Sequence, residues 1–143
     1  MTKIEILKET AFNYLGVQYK WGGDDPMAGF DCSGYVIECL RSVGLYPQKA
    51  DTTAQGLYNM FKAKVDHASL VSAEFGDLVF YKNLKGRVVH VEMCLGSEIC
   101  IGASGGGSRT TTVYDAIKQN AYIKCKPINS RRGYSILSVS ELL

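Results

Sequence analysis

The sequence predicts an α+β fold in which helices come first along the chain and strands follow. Apolar residues in the first half recur with the period of an amphipathic helix. The second half instead contains short apolar runs separated by Gly and Asn turns, which is typical of an antiparallel sheet. A chain of 143 residues is long enough to bury one core, so we expect a single domain over residues 1–143.

Three helices are predicted in the first half. The first covers residues 3–15. The second begins at Cys32, because apolar residues follow it at spacings of 3, 4, 7, 8 and 11, with Asp31 as the N-cap and Gly44 as the stop. The third, with fewer apolar positions, covers residues 53–61. Five strands are predicted after them, at residues 77–81, 88–95, 98–103, 121–126 and 134–139.

Composition excludes several classes of protein. The net charge of +2 comes from scattered basic residues, which does not favour nucleic-acid binding. No stretch approaches the roughly 18 apolar residues of a membrane span. The N-terminal residues are charged and amphipathic without the apolar core of a signal peptide, so we expect that they do not act as a secretion signal.

The five cysteines indicate neither a disulfide framework nor a metal site. Their number is odd, no CxxC pair occurs, and only two histidines are present to assist. We therefore expect a reducing compartment and no metal or other cofactor. Four cysteines lie in apolar runs and are expected to pack in the core: Cys39, Cys94, Cys100 and Cys125.

Cys32 is the candidate nucleophile. A thiol becomes reactive when it ionises, and a helix N-terminus stabilises the thiolate through its dipole and unpaired N–H groups. Ser33 and Gly34 are small enough to admit a substrate, and backbone N–H groups at this helix start would stabilise an oxyanion. The alternative is a cysteine with a purely structural role.

A nucleophilic cysteine needs a base, and the choice lies between His67 and His90. His90 lies in an apolar run, where the two-residue period of a strand places His90 and Glu92 on one face and the intervening valines on the other. His67 lies in a polar stretch typical of a solvated loop. His90 is therefore the candidate base, with a hydrogen-bonded core histidine as the alternative.

Two glycine-rich segments remain open. The segment YKWGG at residues 19–23 is either a packed loop or part of a site. The three glycines at 105–107 lack the lysine and the following helix of a phosphate-binding P-loop, so we expect a flexible turn there.

Four blocks then occur in a fixed order: YKWGG at 19–23, FDCSGYV at 30–36, FGDLVFY at 75–81 and HVEMCLG at 90–96. Taken together they resemble the NlpC family of bacterial and phage cell-wall cysteine peptidases, over nearly the whole chain. The resemblance implies a papain-like fold with N-terminal helices packed on a small antiparallel sheet. It also implies cleavage of amide bonds in peptidoglycan stem peptides, often between D-glutamate and a diamino acid.

The resemblance assigns roles by position. Cys32 matches the nucleophile and His90 the general base of acyl transfer through a thioester. Tyr19, Asp31 and Ser33 match positions that line the site and hold a substrate amine or an oxyanion. Two further residues are candidate substrate contacts: Trp21 and Ser104.

The chain departs from the family at one position. A third polar residue, commonly His, is expected about twelve residues after His90, and Gly102 stands there. Either a backbone carbonyl or a water orients the imidazole, or Glu92 replaces the missing side chain, or the enzyme is weakened or inactive. Ser104 is a further candidate for the orienting residue.

Three functions therefore stay open. The first is a peptidase or amidase acting on peptidoglycan. With the family resemblance and no signal peptide, we expect it to be either phage-encoded and associated with the virion tail, or cytoplasmic and acting on recycled wall peptides. The second is a non-catalytic wall-binding or virion-structural module that keeps the fold. The third is a thiol hydrolase or acyltransferase acting on another amide or on a lipid.

Overall fold

Four α-helices and eight β-strands make up the structure, a computed structural model that describes every residue from Met1 to Leu143. The helices are α1 (Lys3–Asn13), α2 (Cys32–Ser42), α3 (Ala54–Lys62) and α4 (Val113–Lys118). The strands are β1 (Asp24–Asp25), β2 (Gly29–Phe30), β3 (His67–Ala68), β4 (Leu78–Lys82), β5 (Val88–Cys94), β6 (Ile99–Ser104), β7 (Tyr122–Pro127) and β8 (Tyr134–Leu137). Two short 3-10 helices follow β7 and β8, at Ile128–Ser130 and Val139–Leu142.

The α+β class, the three predicted helices and the five predicted strands are confirmed, the strands as β4 to β8. The predicted helices and strands differ from the observed ones in their end residues. Thr53, predicted inside the third helix, is its N-cap instead, and its hydroxyl accepts the N–H of Gly56 at 3.1 Å. A side chain in that role satisfies a backbone donor that the helix itself cannot satisfy.

Six short elements were not predicted: three strands, one α-helix and the two 3-10 helices. Strands β1, β2 and β3 contain two residues each, too few to show a period. Helix α4 has six residues, but its start carries a readable signal, because Thr112 and Asp115 form a capping box. Because His67 lies in strand β3, the expectation of a loop there was wrong, although its side chain is exposed as expected.

The chain forms two compact units, of which unit 1 comprises Met1–Asp51 and Gly102–Lys124. Helix α1 begins at a capping box formed by Thr2 and Glu5 and packs against α2, where the Tyr35 hydroxyl donates to the Ala11 carbonyl at 2.8 Å. Tyr35 is fully buried, and its ring meets Phe30 edge-on. The core of unit 1 therefore holds the segment around residue 30 firmly against the start of α2.

Unit 2 comprises Thr52–Ile101 and Cys125–Leu143. Its strands form one sheet in the order β3-β8-β4-β5-β6-β7, to which β6 contributes residues 99–101 and β7 residues 125–127. The registered pairs β3–β8, β8–β4, β4–β5 and β5–β6 are all antiparallel. Helix α3 packs on β5, where the N–H of Val88 donates to Gln55 Oε1 at 2.8 Å.

Strand β5 contains an irregularity directly before His90. Tyr81 of β4 pairs with His90, but the next residue, Lys82, pairs with Val88, so Val89 is the extra residue of a β-bulge. Val89 is 41% exposed, whereas His90 is 7% exposed. A bulge redirects the side chains that follow it, and here it precedes the buried segment that carries His90 and Glu92.

Three of the four cysteines expected in the core lie there, since Cys39, Cys94 and Cys100 are fully buried. The expectation was wrong for Cys125, which is exposed. Strand β7 lies at an edge of the sheet, and its burial does not follow a two-residue period, since Ile123 is buried whereas Cys125 is exposed. No cysteine of the chain takes part in a disulfide bond. None of the helices is long and apolar enough to cross a membrane.

Candidate active site

Cys32 is the first residue of α2, as the sequence predicts. The N-cap is Asp31, which is also confirmed: its Oδ1 atom accepts the N–H of Gly34 at 2.7 Å and the hydroxyl of Ser33 at 3.3 Å. Cys32 is partly exposed, whereas Cys39, Cys94 and Cys100 are buried. A thiol in the first turn of a helix is favoured as the thiolate, which is the nucleophilic form.

Glycine at position 34 lets a second segment approach this helix start. The carbonyl of Gly23 accepts the N–H of Asp31 at 2.9 Å. A Cβ atom on Gly34 would lie 2.1 Å from that same carbonyl oxygen, well inside van der Waals contact. The glycines of the two sequence blocks therefore belong to one packing arrangement, in which the loop at 19–23 lies against the N-terminus of α2.

Tyr19 belongs to the surroundings of Cys32. It is 5% exposed, and burial raises its pKa, with the nearby Cys32 and Asp31 acting in the same direction. Its ring leaves no room for a side chain at Gly106, where a Cβ would lie 2.4 Å from the ring. Gly106 therefore packs against Tyr19, a candidate site residue, in addition to lying in the turn expected at residues 105–107.

The remaining candidates in unit 1 lie in different environments. Trp21 is 55% exposed, and its backbone N–H donates to the carbonyl of Thr110 at 2.7 Å. Ser104 is buried at the end of β6. Asp31 is half-buried, and burial raises the pKa of its carboxyl although the hydrogen bonds from Gly34 and Ser33 oppose this.

His90 and Glu92 are in contact in unit 2. His90 Nε2 lies 2.6 Å from Glu92 Oε2, which is a short hydrogen bond. The carboxylate of Glu92 has no exposed surface, and the imidazole is nearly buried. The prediction that both side chains share one face of the strand agrees with this contact.

Three residues that the sequence analysis did not single out surround this pair. Lys126 Nζ lies 2.9 Å from Glu92 Oε2, the same oxygen that bonds His90. The thiol of Cys100 donates to Glu92 Oε1 at 3.4 Å. The ring of Tyr81 lies 5.6 Å from the imidazole, between ring centres. Both carboxylate oxygens of Glu92 therefore have donors, as a buried charge requires.

The charges around the pair favour an ionised Glu92 and a neutral His90. Burial alone raises the pKa of Glu92, but the hydrogen bonds from His90 and Lys126 and the positive charge of Lys126 outweigh it and hold the pKa below the ordinary value of 4.5. Burial lowers the pKa of His90 below 6.5, opposed by Glu92 and assisted by the positive charges of Lys126 and Arg131. Because an ionised carboxylate only accepts hydrogen bonds, the proton of neutral His90 lies on Nε2. The Nδ1 lone pair is then the one that can take a proton.

No group of three or more His, Cys, Asp or Glu side chains is arranged to hold a metal ion. The second histidine, His67, lies at the sheet edge in β3, where its Nε2 is 3.3 Å from the hydroxyl of Tyr58. The acid–base chemistry available in unit 2 is therefore that of the His90–Glu92 pair.

Comparison with known proteins supports the resemblance seen in the sequence blocks. The model of the NlpC/P60 family matches residues 16–126. The chain is 30% identical, over 115 residues, to the probable peptidoglycan endopeptidase LytE of Bacillus subtilis strain 168. That match covers 78% of this chain and 30% of LytE, so the chain spans under a third of that relative's length.

Two solved structures have the same fold. The NlpC/p60 domain of the peptidoglycan hydrolase SagA superposes with a TM-score of 0.66 at 24% identity, covering 94% of this chain and 97% of that domain. RipD of Mycobacterium tuberculosis, described as a non-catalytic NlpC/p60 domain protein adapted to peptidoglycan binding, gives 0.67 at 18% identity, covering 97% and 98%. The family model matches residues 16–126, which is most of the chain, and this match shows that the chain belongs to the NlpC/P60 family.

Proposed function

We propose that this chain is a cysteine peptidase or amidase that hydrolyses amide bonds in peptidoglycan stem peptides. Residues 1–143 act as one catalytic domain, with Cys32 as nucleophile, His90 as general base and Glu92 as the residue that orients His90. The observation that carries the proposal is the 2.6 Å bond from His90 Nε2 to Glu92 Oε2. It supplies from the same strand the orienting group that Gly102 cannot supply.

The proposed reaction is acyl transfer in two stages. The sulfur of Cys32 attacks the carbonyl carbon of the amide while its proton passes to Nδ1 of His90. The oxyanion that forms is stabilised by backbone N–H groups at the start of α2. The C–N bond then breaks, and His90 returns the proton to the leaving amine, which leaves a thioester on Cys32.

Water completes the reaction. His90 takes a proton from the water as its oxygen attacks the thioester carbon. The C–S bond then breaks, and His90 returns the proton to the sulfur of Cys32 as the carboxylic acid is released. Glu92 keeps its charge throughout and stabilises the imidazolium that forms twice in the cycle. No cofactor takes part.

Substrate binding in the proposal falls to the residues around Cys32. Tyr19, Asp31 and Ser33 lie close to the nucleophile, and the carboxylate of Asp31 suits the amine end of a stem peptide. Trp21 offers an exposed aromatic face for the ligand. Ser104 is proposed as a further contact. Peptidoglycan or a muropeptide is the proposed partner, whereas a cytoplasmic or virion-tail location and a phage origin stay predictions.

The test uses purified muropeptides and counts new amino groups by mass spectrometry. Wild-type protein is expected to release them, and Cys32→Ala is expected to release none while keeping its circular dichroism spectrum. Full activity in Cys32→Ala would refute the proposed nucleophile. Acyl-lipid substrates tested in parallel separate amide hydrolysis from the chemistry of a lipid-directed thiol hydrolase.

A non-catalytic peptidoglycan-binding module is the second candidate. The observation in its favour is Gly102, and RipD is an example of the same fold described as non-catalytic. This function predicts sedimentation with insoluble peptidoglycan and no new amines. Binding that is equal in wild type and Cys32→Ala, without product from either, would favour it over hydrolysis.

A further inference from the structure

We propose that Lys126 is a positioning residue of the active site, whose ammonium keeps Glu92 ionised and thereby keeps the lone pair of His90 on Nδ1. This inference rests on the proposed function for its catalytic meaning, but its structural content can be tested without any substrate.

The geometry places one oxygen atom between two donors. Glu92 Oε2 lies 2.6 Å from His90 Nε2 and 2.9 Å from Lys126 Nζ. Glu92 comes from β5 and Lys126 from β7, so the contact joins strands that β6 separates in the sheet. The ammonium is held at this place partly by the ring of Tyr81, whose centre lies 5.7 Å from Nζ.

Burial makes the cation necessary. The carboxylate of Glu92 has no exposed surface, and an isolated carboxylate in such a place takes up a proton to avoid the cost of burying a charge. Cys100 donates only a weak S–H bond to the other oxygen. Lys126, whose side chain is 20% exposed, is the full positive charge that bonds this carboxylate directly.

The protonation state of Glu92 decides which nitrogen of His90 can act. An ionised Glu92 accepts from Nε2–H and leaves the lone pair on Nδ1. A protonated Glu92 would instead donate its O–H to Nε2, and the proton of neutral His90 would then lie on Nδ1, where it blocks that nitrogen as a base. The salt bridge between Lys126 and Glu92 thus keeps the proton of neutral His90 on Nε2, which leaves Nδ1 able to act as the base.

Three further groups lie near the His90–Glu92 pair: Tyr81, Cys100 and Arg131. Tyr81 of β4 is buried and, as its pKa is raised by burial, stays neutral at ordinary pH. Burial and the charge of Glu92 raise the pKa of Cys100, on β6, to about 12, so it also stays neutral. The guanidinium of Arg131 lies over the Tyr81 ring and adds a positive charge near His90.

The test is a ¹⁵N NMR titration of the whole chain labelled at histidine. Only two histidines contribute signals, and a His67→Gln variant assigns them. In wild type at pH 7, His90 is expected as the neutral Nε2–H tautomer. A neutral Nδ1–H tautomer there would overturn the proposal without the need for any further variant.

Three variants then test the lysine itself. Lys126→Met keeps the length of the stem but removes the charge, so the His90–Glu92 pair is expected to take up a proton about one pH unit higher than in wild type. Lys126→Arg is expected to keep the wild-type midpoint. Lys85→Met removes an exposed charge from the turn before β5 and is expected to change nothing. An unchanged midpoint in Lys126→Met, or an equal shift in Lys126→Arg or Lys85→Met, would contradict the proposal.

Activity distinguishes this inference from the proposed function. If wild type hydrolyses muropeptides, the acid limb of kcat/KM in Lys126→Met is expected to move to higher pH together with the NMR midpoint. If wild type hydrolyses nothing while the titration behaves as described, the proposed function fails and the role of Lys126 stands. If wild type is active but the limb stays in place while the midpoint moves, the catalytic part of the inference is wrong.

Discussion

The thiols of this chain differ in what surrounds them, and the differences predict their reactivity. Cys39, Cys94 and Cys100 are fully buried, and burial raises the pKa of each, to about 12 for Cys39 and Cys100. Cys125 is exposed, but partial burial and the charge of Glu92 still raise its pKa. Cys32 alone combines access with a helix N-terminus.

Iodoacetamide is therefore expected to modify Cys32 first. Because the thiolate is the reacting form, we expect Cys32 to be labelled at least about tenfold faster than Cys125 at pH 7. Peptide mapping by mass spectrometry at short times measures both rates in the same sample. Cys125 serves as the internal control for exposure, and equal rates at the two sites would show that α2 does not activate its first residue.

The two contacts of Glu92, with His90 and with Lys126, differ in whether the sequence alone could predict them. The pairing of His90 with Glu92 was predictable, because alternation along one strand places residues two apart on one face. Lys126 was not predictable, since its partner lies on a strand that is distant in the chain, and only the strand order of the sheet brings them together. Contacts within a strand follow from the sequence, and contacts across a sheet need its register.

At the level of elements, helix α2 depends on a close approach of two backbones. The Asp31 carboxylate caps the helix by accepting the N–H of Gly34, and the backbone N–H of Asp31 donates to the carbonyl of Gly23. Both hydrogen bonds can form because Gly34 has no side chain to collide with the Gly23 carbonyl or the Asp31 carboxylate. The reactive position of Cys32 is thus built by a cap and a glycine that lie one and two residues from it.

Gly34→Ala is expected to destabilise the fold by about 2–3 kcal/mol, because the added methyl meets backbone atoms that cannot rotate away. Gly96→Ala is the matched control, since a Cβ there would meet no atom within 4 Å. Urea unfolding followed by circular dichroism measures both. A loss in Gly34→Ala no greater than in Gly96→Ala would mean that the loop does not press on α2 as described.

Elements also set the limits of prediction. Helices α1 to α3 and strands β4 to β8 contain enough residues for a period to be visible, and all were found. The hairpin β1–β2 and strand β3 contain two residues per strand, and their formation depends on partners elsewhere, such as Ile136 and Leu137 of β8 for β3. The bulge at Val89 likewise has no signature in the sequence, although it precedes the candidate base.

For the molecule as a whole, the buried His90–Glu92 pair links stability to pH. The pKa of His90 is lowered in the folded state, so below about 6.5 the unfolded chain binds a proton that the folded chain does not. Stability from this group is complete above 6.5 and decreases as pH falls towards the folded pKa. Glu92, also lowered, contributes a second decrease that begins below about 4.5.

Acid is thus expected to weaken wild type more than a His90→Asn variant between pH 7 and pH 5. Each pH unit that separates the folded from the unfolded pKa of His90 contributes about 1.4 kcal/mol to this difference. Urea midpoints at several pH values provide the measurement, with His67→Gln as the control that keeps His90. Parallel pH curves for wild type and His90→Asn would show that His90 is not held neutral by the fold.

In the proposed mechanism, Glu92 performs the orienting task for which Gly102 has no side chain, and steady-state hydrolysis of a purified stem peptide tests this role. Glu92→Gln keeps the shape but removes the charge that stabilises the imidazolium, and Glu98→Gln makes the same change at an exposed position. We expect kcat/KM to fall roughly 100-fold in folded Glu92→Gln and to stay within twofold of wild type in Glu98→Gln. A Glu92→Gln variant as active as wild type would show that the Glu92 carboxylate does not orient His90 for catalysis.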